Sequence, residues 1–130
     1  IGSPAMNIIP TTVEGDAVVF GSMRLPMDPA VAAAVAKSSG EGLQLGIRPQ
    51  GLALGAEGVP TEVVVVEELG SETFVFADIE HLGQTIRIRV RVDADYAVAR
   101  GDRTNVGVLG PVHVFGPEGI RYKTSGELES

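Results

Sequence analysis

The 130 residues contain no cysteine and no tryptophan. Without thiols there is no disulfide framework, no thiolate nucleophile and no cysteine-held zinc, a composition that suits a reducing compartment. Aromatic residues make up only 5%, so the core has to be aliphatic, and few rings are left to stack on bases. Positive charge is scarce as well: 10 Lys and Arg face 17 Asp and Glu, for a formal net charge of -7. That field disfavours nucleic acid and anionic membranes, whose phosphates need Lys and Arg. No apolar run approaches the roughly 20 residues of a membrane helix. Hydrophobic residues still reach 44%, enough to bury the core of one ordinary domain.

What the chain does have is alternation. TIRIRVRV, from Thr85 to Val92, puts Ile86, Ile88, Val90 and Val92 on one side and Thr85, Arg87, Arg89 and Arg91 on the other. This predicts a strand with one buried and one wet face. The Val-rich run Thr61 to Glu68 predicts a buried strand, joined across Leu69-Gly70-Ser71-Glu72 to a partner over Thr73 to Ile79. TVEGDAVVFGSMRLP predicts three very short strands broken at Glu14-Gly15-Asp16 and Gly21-Ser22, and RTNVGVLG and VHVFG predict two more. A single helix is predicted over about 28–38, with Asp28 as cap, Pro29 at its first position, Lys37 in the last turn and Gly40 as the stop. Many short strands, frequent glycine and one helix predict a mainly β, OB-like barrel. The polar end, residues 125–130, reads as a flexible tail.

The residue patterns of catalysis are missing. Lys37 and Lys123, the two lysines, follow no glycine-rich phosphate loop, and no Gly-x-Ser-x-Gly elbow presents a nucleophile. His81 and His113 lie far apart, without carboxylates at metal-ligand spacing, and read as ordinary strand-end or loop histidines. Glu67 and Glu68 are adjacent on a strand, so their side chains point to opposite faces, poor geometry for an acid–base pair. The reading is of a chain with no catalytic residue, metal or cofactor of its own. Arg87, Arg89 and Arg91 could clamp an anion; the weightier alternative pairs them across strands with Asp78, Glu80 and Glu72. Pro49 holds Arg48 extended on a loop, where it is either presented to a partner or packed on its own barrel. Gly70 permits a tight turn that Ser71 or Glu72 can brace. Phe115 is either core or an interface anchor, with core the weightier reading.

Five segments then occur in order: IGSPAMN at the start, LGIRPQGL at Leu45 to Leu52, VVEELGSETFV at Val65 to Val75, GDRTNVGV at Gly101 to Val108, and HVFGPEGIR at His113 to Arg121. Together they resemble the C-terminal regulatory region of the ATP-binding subunits of carbohydrate-importing ABC transporters of the maltose-importer type. The resemblance covers nearly the whole chain; each motif alone is weak, and the five in sequence are specific. It implies a TOBE-type OB-like domain over residues 8–124, entered through a hinge at residues 1–7 comprising Gly2, Ser3, Pro4, Met6 and Asn7. The ATPase part, with its P-loop and signature motif, would lie upstream, and ATP and Mg would belong to that parent subunit. Implied partners are this upstream nucleotide-binding domain, a second ATPase subunit in a homodimer, the transmembrane permease subunits and a cytosolic regulator, with no nucleic acid. The implied location is cytoplasmic, on the inner face of the plasma membrane.

By the same resemblance Arg48, Pro49, Gln50, Gly70, Ser71, Glu72 and Phe115 are the interface or regulatory residues. The sequence departs from the family pattern at Gln50, where Glu is usual, at Glu68, where Pro is usual, and at Gly116, where Asp is common. Two other classes compete with this reading. An oxyanion-binding TOBE barrel would need a Ser-Ala-Arg-Asn signature that is missing here, and a free-standing OB-fold nucleic-acid module has the charge and the few aromatics against it.

Overall fold

The computed structural model of the chain describes residues 6–38, 40–55, 57–117, 119, 121 and 122. Short strands dominate them: β1 (Asn7–Pro10), β2 (Val13–Glu14), β3 (Ala17–Phe20), β4 (Met23–Pro26), β5 (Gln44–Ile47), β6 (Leu52–Gly55), β7 (Val59–Leu69), β8 (Glu72–His81), β9 (Gln84–Asp93), β10 (Arg103–Val108) and β11 (Val112–Phe115). One helix, α1 (Pro29–Ala36), and one 3-10 turn, Pro49–Gly51, interrupt them. The chain clusters into two compact units, one drawn from the segments up to Ile47 and from Val112 onward, the other Arg48–Pro111.

In the first unit β2, β3 and β4 form a meander whose two turns fall at Gly15-Asp16 and Gly21-Ser22, as the sequence predicts. The α1 helix is slightly shorter than expected. The Asp28 carboxylate accepts from the Ala30 amide at 2.9 Å, Lys37 is already the C-cap, and the Ser38 hydroxyl closes the end by donating to the Val35 carbonyl at 2.7 Å. Val31 and Val35, one turn apart, are its buried residues. A second sheet, β1-β5-β11, is assembled from segments far apart in sequence: Leu45 stands opposite Ile9 on one side and Val114 on the other. Gly46 packs against bulk here. A Cβ on it would lie 2.6 Å from the Phe115 ring and 2.7 Å from the Met6 sulfur. Thr11 joins the two sheets, its buried hydroxyl donating to the Val19 carbonyl at 2.7 Å and accepting from the Val19 amide at 3.1 Å.

The second unit is a five-stranded antiparallel sheet in the order β6-β10-β7-β8-β9. Val59, Val63, Val75, Ala77, Ile79, Ile88, Val90 and Val106 form its buried face. Fully burying such a side chain contributes about 1.5–3 kcal/mol relative to leaving it exposed. A one-residue slip would turn that whole set outward, so the pattern fixes the register. The mainly β organisation with one helix agrees with the expectation, but among the described residues no ladder closes the expected barrel: β6 and β9 pack side by side and remain edges.

The Val-rich run departs further. A bulge between Val63 and Val65 breaks its alternation, and Val65 is 45% exposed. The physical reason is that β10 covers only the near half of β7, up to the pair Arg103 and Glu62.

Candidate interaction surface on the β7–β9 hairpins

The β7–β8 connection has two residues, with Gly70 at φ +78° in the first position. This backbone, of the type II′ kind, needs glycine and matches the twist of the flanking strands. From it β8 pairs with β9 without interruption, from Glu72 opposite Asp93 to His81 opposite Gln84. Residues directly opposite share a face. The outer face therefore carries Val65, Glu67 and Leu69 from β7, Phe74, Phe76 and Asp78 from β8, and Arg87, Arg89 and Arg91 from β9.

The three arginines are not equivalent. Arg87 makes a two-pronged contact with Asp78 directly opposite, at 3.0 and 3.4 Å. That hydrogen bond first, and the carboxylate's charge second, raise the Arg87 pKa above its ordinary value. Arg91 pairs with Glu72 at 3.0 Å. Arg89 crosses β8 instead: its guanidinium lies 4.1 Å from the centre of the Phe74 ring and 5.6 Å from that of Phe76, and reaches Glu67 on β7 at 3.7 Å. Glu80 takes no arginine, because its register partner is Thr85, whose hydroxyl bonds to it. The cross-strand reading of the ladder thus holds for Asp78 and Glu72 and is corrected for Glu80. The same device recurs in Arg103 with Glu62 at 3.3 Å and, in the first unit, Arg24 with Glu14 at 2.8 Å. With its charges neutralised by neighbours, the ladder is not an anion clamp.

The residues expected to act together are found in three places. Arg48, extended and half-buried, caps the 3-10 turn that buries Pro49 and exposes Gln50. This turn packs against β9 and leads into Leu52, which pairs with Val108, so it belongs to the end of the sheet that holds Val59 and His81. There the Gly51 carbonyl accepts from the Leu109 and Gly110 amides at 2.7 and 3.1 Å. Gly70, Ser71 and Glu72 form the tip at the opposite end. Phe115 is 5% exposed within the first unit, in the core role that the sequence favours. Met6 is buried, Asn7 opens β1 and donates from its side-chain amide to the Ile47 carbonyl at 3.0 Å, and Gly2, Ser3 and Pro4 lie outside the described residues.

Sequence reasoning missed a groove beside the bulge. It encloses about 400 Å³ and is lined by Val64, Val65, Val66, Glu68, Val98, Ala99 and Arg100. The segment Val98 to Asp102 is fastened at one point of β7. Gly101 donates to the Val63 carbonyl and Val63 donates to the Asp102 carbonyl, both at 2.8 Å. The Asp102 carboxylate accepts from the Ala99 amide at 2.8 Å. Two sequence signals mark the place: four consecutive valines, which cannot all face inward on a half-wet strand, and the Gly101-Asp102 turn pair.

Comparison with known proteins follows this division. Residues 2–52 match the MalK OB fold domain, and residues 45–115 match the TOBE domain. The chain belongs to the TOBE domain family. The two matches overlap from β5 through the 3-10 turn to β6, the stretch in which the chain passes from one unit to the other. Relatives of this TOBE chain include the sn-glycerol-3-phosphate import ATP-binding protein UgpC of Bordetella avium, 33% identical over 91% of the chain and 33% of that protein. UgpC 2 of Agrobacterium fabrum is 35% identical over 100% of the chain and 35% of its own length. The diacetylchitobiose uptake system ATP-binding protein MsiK of Streptomyces coelicolor is 26% identical over 88% and 35%. The chain spans about a third of the length of the curated relatives it matches.

Proposed function

We propose that the chain is the regulatory and pairing domain of the ATP-binding subunit of a bacterial importer for sugars or sugar derivatives, and that it has no catalytic role itself. The observation that carries this reading is the match, across nearly the whole chain, to a third of proteins named as ATP-binding components of import systems. In this reading ATP and Mg bind the remaining part of the parent subunit, and the complex sits on the inner membrane face through permease subunits. Among the described residues no helix is long and apolar enough to cross a membrane. A second ATP-binding subunit is the pairing partner, and a cytosolic regulator is the further one. The geometry is consistent with this role, since the surface arginines are committed to neighbouring carboxylates rather than gathered around a reacting group.

Two measurements test the proposal. The purified chain, given ATP and Mg, is expected to release no phosphate above buffer; turnover would remove the non-catalytic reading. In sedimentation equilibrium its mass is expected to rise with concentration, and a monomer throughout the accessible range would remove the pairing reading.

A further inference from the structure

We infer that the free edge of β7, from Val64 to Leu69, is a strand-addition site occupied by the same edge of a second copy, antiparallel about a two-fold axis at Val66. The inference rests on the pairing reading above and says which surface performs it. Its first support is the ladder. On its β10 side β7 is paired from Val59 to Glu62, and Val63 commits both backbone groups to Gly101 and Asp102. From Val64 onward β8 runs along one side, and among the described residues no backbone partner runs along the other. Such an edge is a template for another strand.

The second support is what lines it. Valines at 64, 65 and 66, with Val98 and Ala99, give the groove apolar walls. Val65 and Leu69 are 45% and 54% exposed. The two charged lining residues, Glu68 and Arg100, are both exposed and make no ion pair among the described residues. They stand at different ends. Arg100 adjoins Gly101, which is bonded to Val63, while Glu68 lies four residues beyond Val64, about 13 Å along the strand.

That arrangement selects the occupant. A two-fold axis at Val66 sets Val66 against its own copy, Val65 opposite Glu67, and Val64 opposite Glu68. No carboxylate then faces a carboxylate. Each Glu68 arrives beside the partner's Val64 end, where the second copy's arginine 100 stands, and the contact is made twice, as a self-complementary interface requires. A register shifted by one residue, centred between Val66 and Glu67, would lose the charge match, and one shifted by two, centred on Glu67, would oppose two Glu67 side chains.

The test is a charge exchange read by sedimentation equilibrium on the whole chain. Glu68→Arg and Arg100→Glu are each expected to weaken dimerisation about tenfold or more, and the double exchange to restore it. Because the chain has no cysteine, Val66→Cys adds a second readout. Directly opposed residues in an antiparallel pair sit about 4.5–5.5 Å apart at Cα, within reach of a disulfide, so mild oxidation is expected to cross-link this variant in preference to Leu69→Cys. A dimer insensitive to both exchanges, with Val66→Cys uncross-linked, overturns the edge assignment and leaves the pairing reading standing. A dimer in which the Val66 and Glu68 amides, which alternate away from β8, still exchange freely with solvent also overturns it, and leaves the edge to a strand from some other protein. A chain that is monomeric at every concentration overturns both.

Discussion

Replacing Gly58 by alanine is the most informative single substitution in the second unit. Gly58 has φ +123°, and a Cβ built there would fall 2.0 Å from the Val106 carbonyl oxygen, 2.4 Å from its carbon and 2.8 Å from the Gly107 nitrogen. All three are backbone atoms of β10 at the level where Val106 pairs with Val59, so no flexible side chain can move aside. The left-handed backbone costs an alanine about 1–2 kcal/mol, forced repacking about 1–3 kcal/mol, and a lost ladder hydrogen bond about 1 kcal/mol. The expected destabilisation is therefore about 3–6 kcal/mol. With a urea slope of about 2 kcal/mol/M, the unfolding midpoint falls by roughly 1.5–3 M. Gly70→Ala is the control, because Gly70 has φ +78° with nothing within 4 Å of the added carbon. It carries the conformational cost alone, about 1–2 kcal/mol. Urea titrations followed by circular dichroism compare the two. If Gly58→Ala falls within about 1 kcal/mol of the control, the resolution limit of such extrapolations, the backbone contact with Val106 is not a constraint and the account of this junction is wrong.

Three further outcomes follow from the geometry. Arg89→Ala is expected to cost about 1–2 kcal/mol through loss of the Phe74 stack and the packing of its stem, largely unchanged in high salt. Arg103→Ala, whose side chain is 83% exposed, is expected to cost about 0–1 kcal/mol, and equal effects in urea titrations would refute the distinction. Thr11→Val takes the hydroxyl donor from the buried Val19 carbonyl, although the Val19 amide keeps the Thr12 carbonyl at 3.1 Å. It is expected to cost about 1–3 kcal/mol, while Thr11→Ser, which keeps the hydroxyl, costs less; thermal unfolding of the two variants decides. Asp102→Ala removes the acceptor of the Ala99 amide, and amide exchange at Ala99 and Gly101 is expected to accelerate while that of Val75 and Val90 does not. Uniform acceleration would mean that Asp102 stabilises the whole sheet rather than its own loop.

Local chemistry is legible in the amino-acid sequence by itself. The Gly15, Gly21 and Gly70 turns, the Asp28 cap, the two faces of residues 85–92, the opposed side chains of Glu67 and Glu68, and the pairing of Arg87 and Arg91 with acids all depend on residues close in the chain or on adjacent hairpin strands. Period and turn type determine these, because side chains alternate along a strand and a two-residue loop fixes its register. Tertiary structure decided the rest. The strands β1, β5 and β6 carry too few alternations to announce themselves, and β5 finds its neighbours near opposite ends of the chain, with Ile47 set between Asn7 and Val112. Nothing local specifies such partners; burial of Leu45 and Ile47 against both neighbours does. In the same way, where β10 stops along β7 decided that four valines would bulge rather than bury, and that one strand edge would be left open. The register of β8 against both its neighbours decided that Arg89 would lie over phenylalanine while Arg87 and Arg91 met carboxylates.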